Sequence, residues 1–122
     1  MNYELLLLCY FLFIIHNSKF IIQKSMKAVF IPFNQAYQER LIVMFDKMNI
    51  RGFTLWEQVQ GRGGKTGEPH YGNHAWPTLN SAFLTVVPDE KVDDLLEKIH
   101  ALDMETEKLG IHAFVWEIEK MV

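Results

Sequence analysis

Residues 61–77 interrupt two stretches that each read as a β-strand, 53–60 and 82–87, and this break constrains the fold most. A hairpin connection takes about 2–5 residues. A compact domain can carry a far longer one only when it is disordered or used. The composition favours use. The segment holds five glycines, Arg62 and Lys65, Glu68, His70 and His74, with Tyr71 and Trp76 available for contacts.

The flanking patterns supply the frame. Residues 28–31 form a short apolar run that reads as a buried strand stopped by Pro32. Asn34 is suited to cap a helix, along which Tyr37, Leu41, Met44, Phe45 and Met48 recur at helical spacing. Asn49 and Gly52 end that helix. In 53–60, Phe53, Leu55 and Val59 alternate with Thr54, Trp56 and Gln58, the period of a half-buried strand. Residues 82–87 are β-branched and apolar. Pro88, Asp89 and Glu90 open a second helix, with acids at its positive end. Val92, Leu95, Leu96, Ile99 and Leu102 are its buried stripe, and Gly110 is the expected stop. Residues 111–118 form the last strand.

The order strand, helix, strand, strand, helix, strand predicts an α+β, ferredoxin-like βαββαβ fold: an antiparallel four-stranded sheet with two helices on one face. Two helices cover one face only. The last strand nevertheless puts Phe114, Trp116 and Ile118 opposite Ile111, Ala113 and Val115, and the second puts Trp56 opposite Phe53 and Leu55. An apolar second face calls for a further cover, and self-association is the simplest.

Residues 1–25 are unlike the rest. The unbroken apolar run 5–15 is followed by His16, Asn17, Ser18 and Lys19. A membrane span needs roughly 18 apolar residues. A signal peptide would have a basic start and a small-residue cleavage site, where this chain has Glu4 and no such site. The reading preferred here is a domain that opens at Met26, with 1–25 as an extension upstream of the true start; an anchor or a signal are the alternatives. The domain is then 26–122.

The formal net charge of -3 and the absence of a basic stripe argue against a nucleic-acid partner. Cys9 is the single cysteine, so no internal disulfide forms and a Cys-based zinc site in the domain is excluded. No nucleophile motif is present. Asp89, Glu90, Asp93, Asp94 and Glu97 read as a solvated helix face, so no enzyme is expected.

Two constellations remain. Gly61-Arg62-Gly63-Gly64-Lys65 offers backbone N–H groups and two cations; it reads as an anion nest or as a hinge, and lacks the spacing of a P-loop. Glu68, His70 and His74 offer a carboxylate and two imidazoles to a divalent or transition metal, or are solvated loop residues. His112 can add a ligand to the second group from a strand or from another subunit. Trp76 with Trp56 and Trp116 reads as a pocket lining or as interface packing.

Met26-Lys27-Ala28-Val29, Gly52-Phe53-Thr54, Val59-Gln60-Gly61-Arg62-Gly63, the long loop, Leu84-Thr85-Val86-Val87-Pro88-Asp89-Glu90-Lys91-Val92 and Ala113-Phe114-Val115 together resemble the nitrogen-regulatory P-II signalling superfamily, on its divergent P-II-like branch. The resemblance implies a cytoplasmic, compact homotrimer. It implies ligands in clefts between subunits, and a T-loop, here 61–77, that reports the ligand to a regulated partner protein such as a membrane transporter. The chain departs from the pattern at Thr106-Glu107-Lys108-Leu109-Gly110-Ile111-His112. Most glycines of the family's phosphate loop are absent there, and His112 stands at the position of its lysine. The expected ligand is a nucleotide or small anion, contacted by Gly61, Arg62, Gly63, Gly64, Lys65 and His112.

Overall fold

In a computed structural model, residues 2–21, 25–64, 66–106 and 109–122 are described, with 13–21 described as helical backbone only. Lys65 and the connection 107–108 lie outside them. Helix α1 (Tyr3–Ile21) is followed by β1 (Met26–Asn34), α2 (Gln38–Lys47), β2 (Thr54–Val59), the short β3 (Gly61–Arg62) and β4 (Pro69–His70), then β5 (Asn80–Pro88), α3 (Asp89–Glu105) and β6 (Phe114–Glu117). Strands β2-β5-β1-β6 make one antiparallel sheet, and β3 and β4 form a separate two-stranded ribbon. This is the expected ferredoxin-like α+β arrangement.

Helices α2 and α3 pack on one sheet face. Val29, Ile31 and Phe33 of β1 and Phe83 and Val87 of β5 meet Leu41 and Phe45 of α2 and Leu95, Ile99 and Leu102 of α3. Phe33 stacks on Phe83 at 5.1 Å, and Phe45 and Phe53 meet the same ring edge-on at 5.0 and 4.9 Å. Such offset and edge geometries suit the ring quadrupole.

Element ends follow local chemistry. Asn34 caps as expected, its side chain accepting from Ala36 N at 3.0 Å, but it starts a 3-10 turn before α2. The end of α2 is set by Asn49 and not by Gly52. Asn49 adopts φ +57°, while Asn49 N–H and Ile50 N–H donate back to Asp46 O and Phe45 O. That is a Schellman ending, completed by burial of Ile50. Lys91 of α3 then donates to the carbonyls of Met48 and Asn49 at 3.0 and 3.2 Å, putting a cation at the negative end of α2. Helix α3 stops at Glu105, short of Gly110, just past Leu102, the last of its buried side chains.

The strands also depart from expectation. β1 does not stop at Pro32; it runs through it to Asn34, and β5 extends to Asn80–Pro88. Proline leaves its mark on the other neighbour. His112 N–H donates to Pro32 O at 3.0 Å, but Pro32 has no N–H to return the bond. The β1–β6 ladder accordingly covers Phe114–Glu117, and resumes only as an isolated bridge between Phe33 and Ile111. On the opposite edge a bulge between Trp56 and Val59 shifts the β2–β5 register, and Ser81 Oγ donates to Glu57 O across it at 2.6 Å.

The second sheet face carries Phe30, Leu84, Val86, Trp56, Phe114 and Trp116. Trp56, Phe114 and Trp116 are 44%, 54% and 50% exposed, against 0% for Phe83 on the covered face. Among the described side chains of α1, Leu5, Leu7, Tyr10 and Phe11 are exposed. Among the described residues no helix is long and apolar enough to cross a membrane.

Candidate functional site

Segment 61–77 is not a single open loop; it folds into two consecutive hairpins. In the first, Gly61 and Arg62 pair with His70 and Pro69. The tip closes so tightly that a Cβ on Gly67 would lie 2.7 Å from Gly63 Cα, so position 67 admits only glycine without backbone movement. In the second, Tyr71 bridges Leu79, Gly72 N–H donates to Thr78 O, and Asn73 N–H donates to Trp76 O, both at 3.0 Å. Asn73 Oδ1 accepts from Trp76 N–H at 2.8 Å. Gly72 sits at φ +63°, where a side chain would be strained and would strike Leu79.

The first hairpin leans over the broken end of the β1–β6 ladder and encloses a cavity of about 460 Å³. Gly61, Arg62, Gly63, Glu68 and His70 line it from the ribbon side, and Gly110, His112 and Pro32 from the ladder side. The break at Pro32 is thus one wall of the site, and the bulge in β2 delivers the ribbon that forms the other. Residues far apart in the chain converge without a shared motif.

Asn80, the first residue of β5, fixes the ribbon. Its Oδ1 lies 2.7 Å from His70 Nδ1, and its Nδ2 faces Gly61 so closely that a Cβ there would approach to 2.8 Å. An amide oxygen only accepts, so His70 Nδ1 is the donor in this contact. Arg62, Glu68 and His112 have no hydrogen-bond or ion-pair partner for their side chains among the described residues. His112 rests its ring 6.2 Å from that of Phe114.

The residues singled out from sequence therefore divide. Gly61, Arg62, Gly63, His112, Glu68 and His70 share the cavity. Gly64 is exposed on the tip outside its lining, and Lys65 lies outside the described residues. His74 and Trp76 are exposed on the second hairpin, away from the cavity. Among the described residues no three His, Cys, Asp or Glu side chains are grouped to hold a metal. Sequence reasoning missed Pro32, Thr66, Gly67 and Asn80. Pro32 inside an apolar run was a legible sign of ladder damage; Asn80 gave no sign, since its role depends on the ribbon folding back onto it.

Among the described residues the lining carries the guanidinium of Arg62, the carboxylate of Glu68, the imidazoles of His70 and His112, and four glycines. The space falls inside the 300–1,000 Å³ range of small-molecule pockets.

Comparison with known proteins gives the frame a family. Solved structures with the same fold include a nitrogen regulatory PII-like protein, CPII, from Thiomonas intermedia K12, bound to ADP, AMP and bicarbonate. It is 21% identical, covers 77% of this chain and 86% of its own, and has a TM-score of 0.65. A putative PII-like signaling protein from Thermus thermophilus is 18% identical over 77% of this chain and 87% of its own, with a TM-score of 0.55. A functionally unknown protein from Pediococcus pentosaceus ATCC 25745 is 16% identical over 82% of this chain and 98% of its own, also at 0.55. No curated protein matches the chain. The family model described as nitrogen regulatory protein P-II matches residues 26–122, so the chain belongs to the P-II family.

Proposed function

We propose that the chain is a non-enzymatic P-II-like regulator that senses a nucleotide or small anion at the base of loop 61–77 and reports it through that loop to a partner protein, such as a membrane transporter. The observation that carries this reading is the convergence of Gly61, Arg62, Gly63 and His112 on one cavity, with the Arg62 and His112 side chains free of polar partners among the described residues. The adenine nucleotides and bicarbonate held by the Thiomonas relative support the same ligand class. Arg62 would pair with the anion, glycine N–H groups would approach it closely, and Lys65 and Gly64 would close over it from the tip.

Three copies would associate through the open sheet face. Burying a large apolar side chain contributes roughly 1.5–3 kcal/mol, so Trp56, Phe114 and Trp116 together supply a large driving force. Association also puts the cavity beside a second subunit. The ligand would then order the tip of the first hairpin, and the coupling is of the order–disorder kind. In this reading the protein works in the cytoplasm.

Isothermal calorimetry of the purified chain with ADP and AMP tests the site. Arg62→Ala with Lys65→Ala is expected to weaken binding at least tenfold, about the contribution of one charge-assisted pair. Unchanged affinity in the double variant would sink the assignment.

A second reading, a divalent or transition-metal protein, rests on one observation. His70 donates through Nδ1 to Asn80, the kind of outer contact that orients metal-binding histidines. Glu68 shares its wall, but His74 stands on the other hairpin. Metal affinity unaltered in Glu68→Ala with His70→Ala would remove that reading.

A further inference from the structure

The first hairpin is too short to hold itself in place. Its ladder pairs Gly61 with His70 and Arg62 with Pro69, and an isolated hairpin is at best marginally stable in water. Yet it stands over the sheet as one wall of the cavity. Asn80 joins the two. Its backbone belongs to the four-stranded sheet, in register with Asn34 of β1 and Val59 of β2. Its side chain meets both arms of the ribbon at their base: Oδ1 lies 2.7 Å from His70 Nδ1, and Nδ2 faces Gly61. Among the described residues this is the one side-chain hydrogen bond that ties residues 61–70 to the rest of the chain. All three residues are half-buried, so water competes only in part for the contact.

The packing at Gly61 points the same way. A Cβ at position 61 would lie 2.8 Å from Asn80 Nδ2, so a side chain there would push the amide aside, and with it the acceptor that His70 uses. We propose that Asn80 is a positioning residue, a clasp whose amide pins both arms of the ribbon to the sheet. It thereby keeps the wall of Gly61, Arg62, Glu68 and His70 in place before any ligand arrives. The opposite wall, Pro32, Gly110 and His112, lies at the end of the β1–β6 ladder and does not depend on the clasp. The clasp acts in the ligand-free chain, so it holds or fails whatever the cavity binds.

The test is digestion of the whole, ligand-free chain by an arginine-specific protease, with the cut sites followed by mass spectrometry. Arg62 lies in the ribbon and Arg51 in the exposed connection before β2, so one digest carries its own reference. Local opening sets the rate of such cleavage. Asn80→Ala is expected to speed cutting after Arg62 about fivefold, the scale of one lost hydrogen bond, and to leave cutting after Arg51 unchanged. His70→Ala is expected to do the same, and the double variant to exceed either single one by less than about twofold, because both remove one contact. Gly61→Ala should also speed cutting, by displacing the amide. Asn80→Asp, whose carboxylate still accepts from His70, should stay within about twofold of the natural chain. Unchanged cutting after Arg62 in Asn80→Ala, multiplied effects in the double variant, or no rescue by Asn80→Asp would overturn the clasp. Equal acceleration at Arg51 would also overturn it, by making Asn80 a residue of general stability. Failure of ADP and AMP to bind the natural chain would sink the proposed ligand site and leave the clasp standing.

Discussion

The two faces of the four-stranded sheet are built from the same strands and have opposite fates. On the helix-covered face Val29, Ile31, Phe33, Phe83 and Val87 are all at most 1% exposed. On the other, Trp56, Phe114 and Trp116 lie open at 44–54% although they are as apolar as anything in the core. Strand alternation gives each face its own residues, and the helices can reach only one of them. The lesson is that hydrophobicity alone does not bury a side chain inside its own subunit. What decides is which element the chain has left to lay across it.

The largest effect should come from the covered face. Phe83 contacts three other aromatic rings, so Phe83→Ala is expected to cost about 3–5 kcal/mol in chemical denaturation. A loss near zero would mean that this ring cluster is not the core. Next comes the open face. If copies associate through this face as proposed, Trp116→Lys is expected to give a folded monomer in native mass spectrometry where the natural chain gives a trimer, with the far-ultraviolet circular dichroism kept. If the mass is unaltered, that face is not the contact between copies. The buried hydroxyl of Thr85 donates to Gly52 O at 2.6 Å, and Thr85→Val should remove about 1–2 kcal/mol by leaving that carbonyl unpaired.

The smallest effect belongs to the outer surface of the helices. Arg40 Nη1 lies 2.7 Å from Glu105 Oε2, and the hydrogen bond from Arg40 holds the Glu105 carboxyl below the usual carboxylate range. A lowered folded value means that the pair adds stability above the unfolded carboxylate pKa and loses it as pH falls through the folded one. Both groups are solvated, so Glu105→Gln should barely move the melting temperature at neutral pH. A shift of several degrees would show the pair to be more than a surface contact.

Much of this was legible beforehand. The helical stripes of Leu41 and Phe45, and of Leu95, Ile99 and Leu102, named the covered core, and the alternation around Phe114 and Trp116 named the open face. Within the loop, Gly61, Arg62 and Gly63 could be nominated by chemical type, and His112, outside it, by its place in the family pattern. Local patterns carry such information because period and side-chain chemistry are local properties. The two hairpins were not legible, because Gly72 and Asn73 fold a turn through backbone bonds that compete with many alternatives. The grouping of Glu68 and His70 apart from His74 was equally hidden; spacing on an irregular segment fixes no direction.

The sequence by itself determined the order of elements, the residues of the core, the surplus apolar face and the chemical types available to a ligand. These follow from periodicity and from where glycine, proline and charge fall. Only the tertiary structure decided that the break in the β1–β6 ladder at Pro32, the bulge in β2 and the amide of Asn80 bring Arg62, Glu68, His70 and His112 around one cavity. That outcome depends on strand register and on a missing N–H at Pro32, which act between segments far apart in the chain and leave no spacing for the sequence to display.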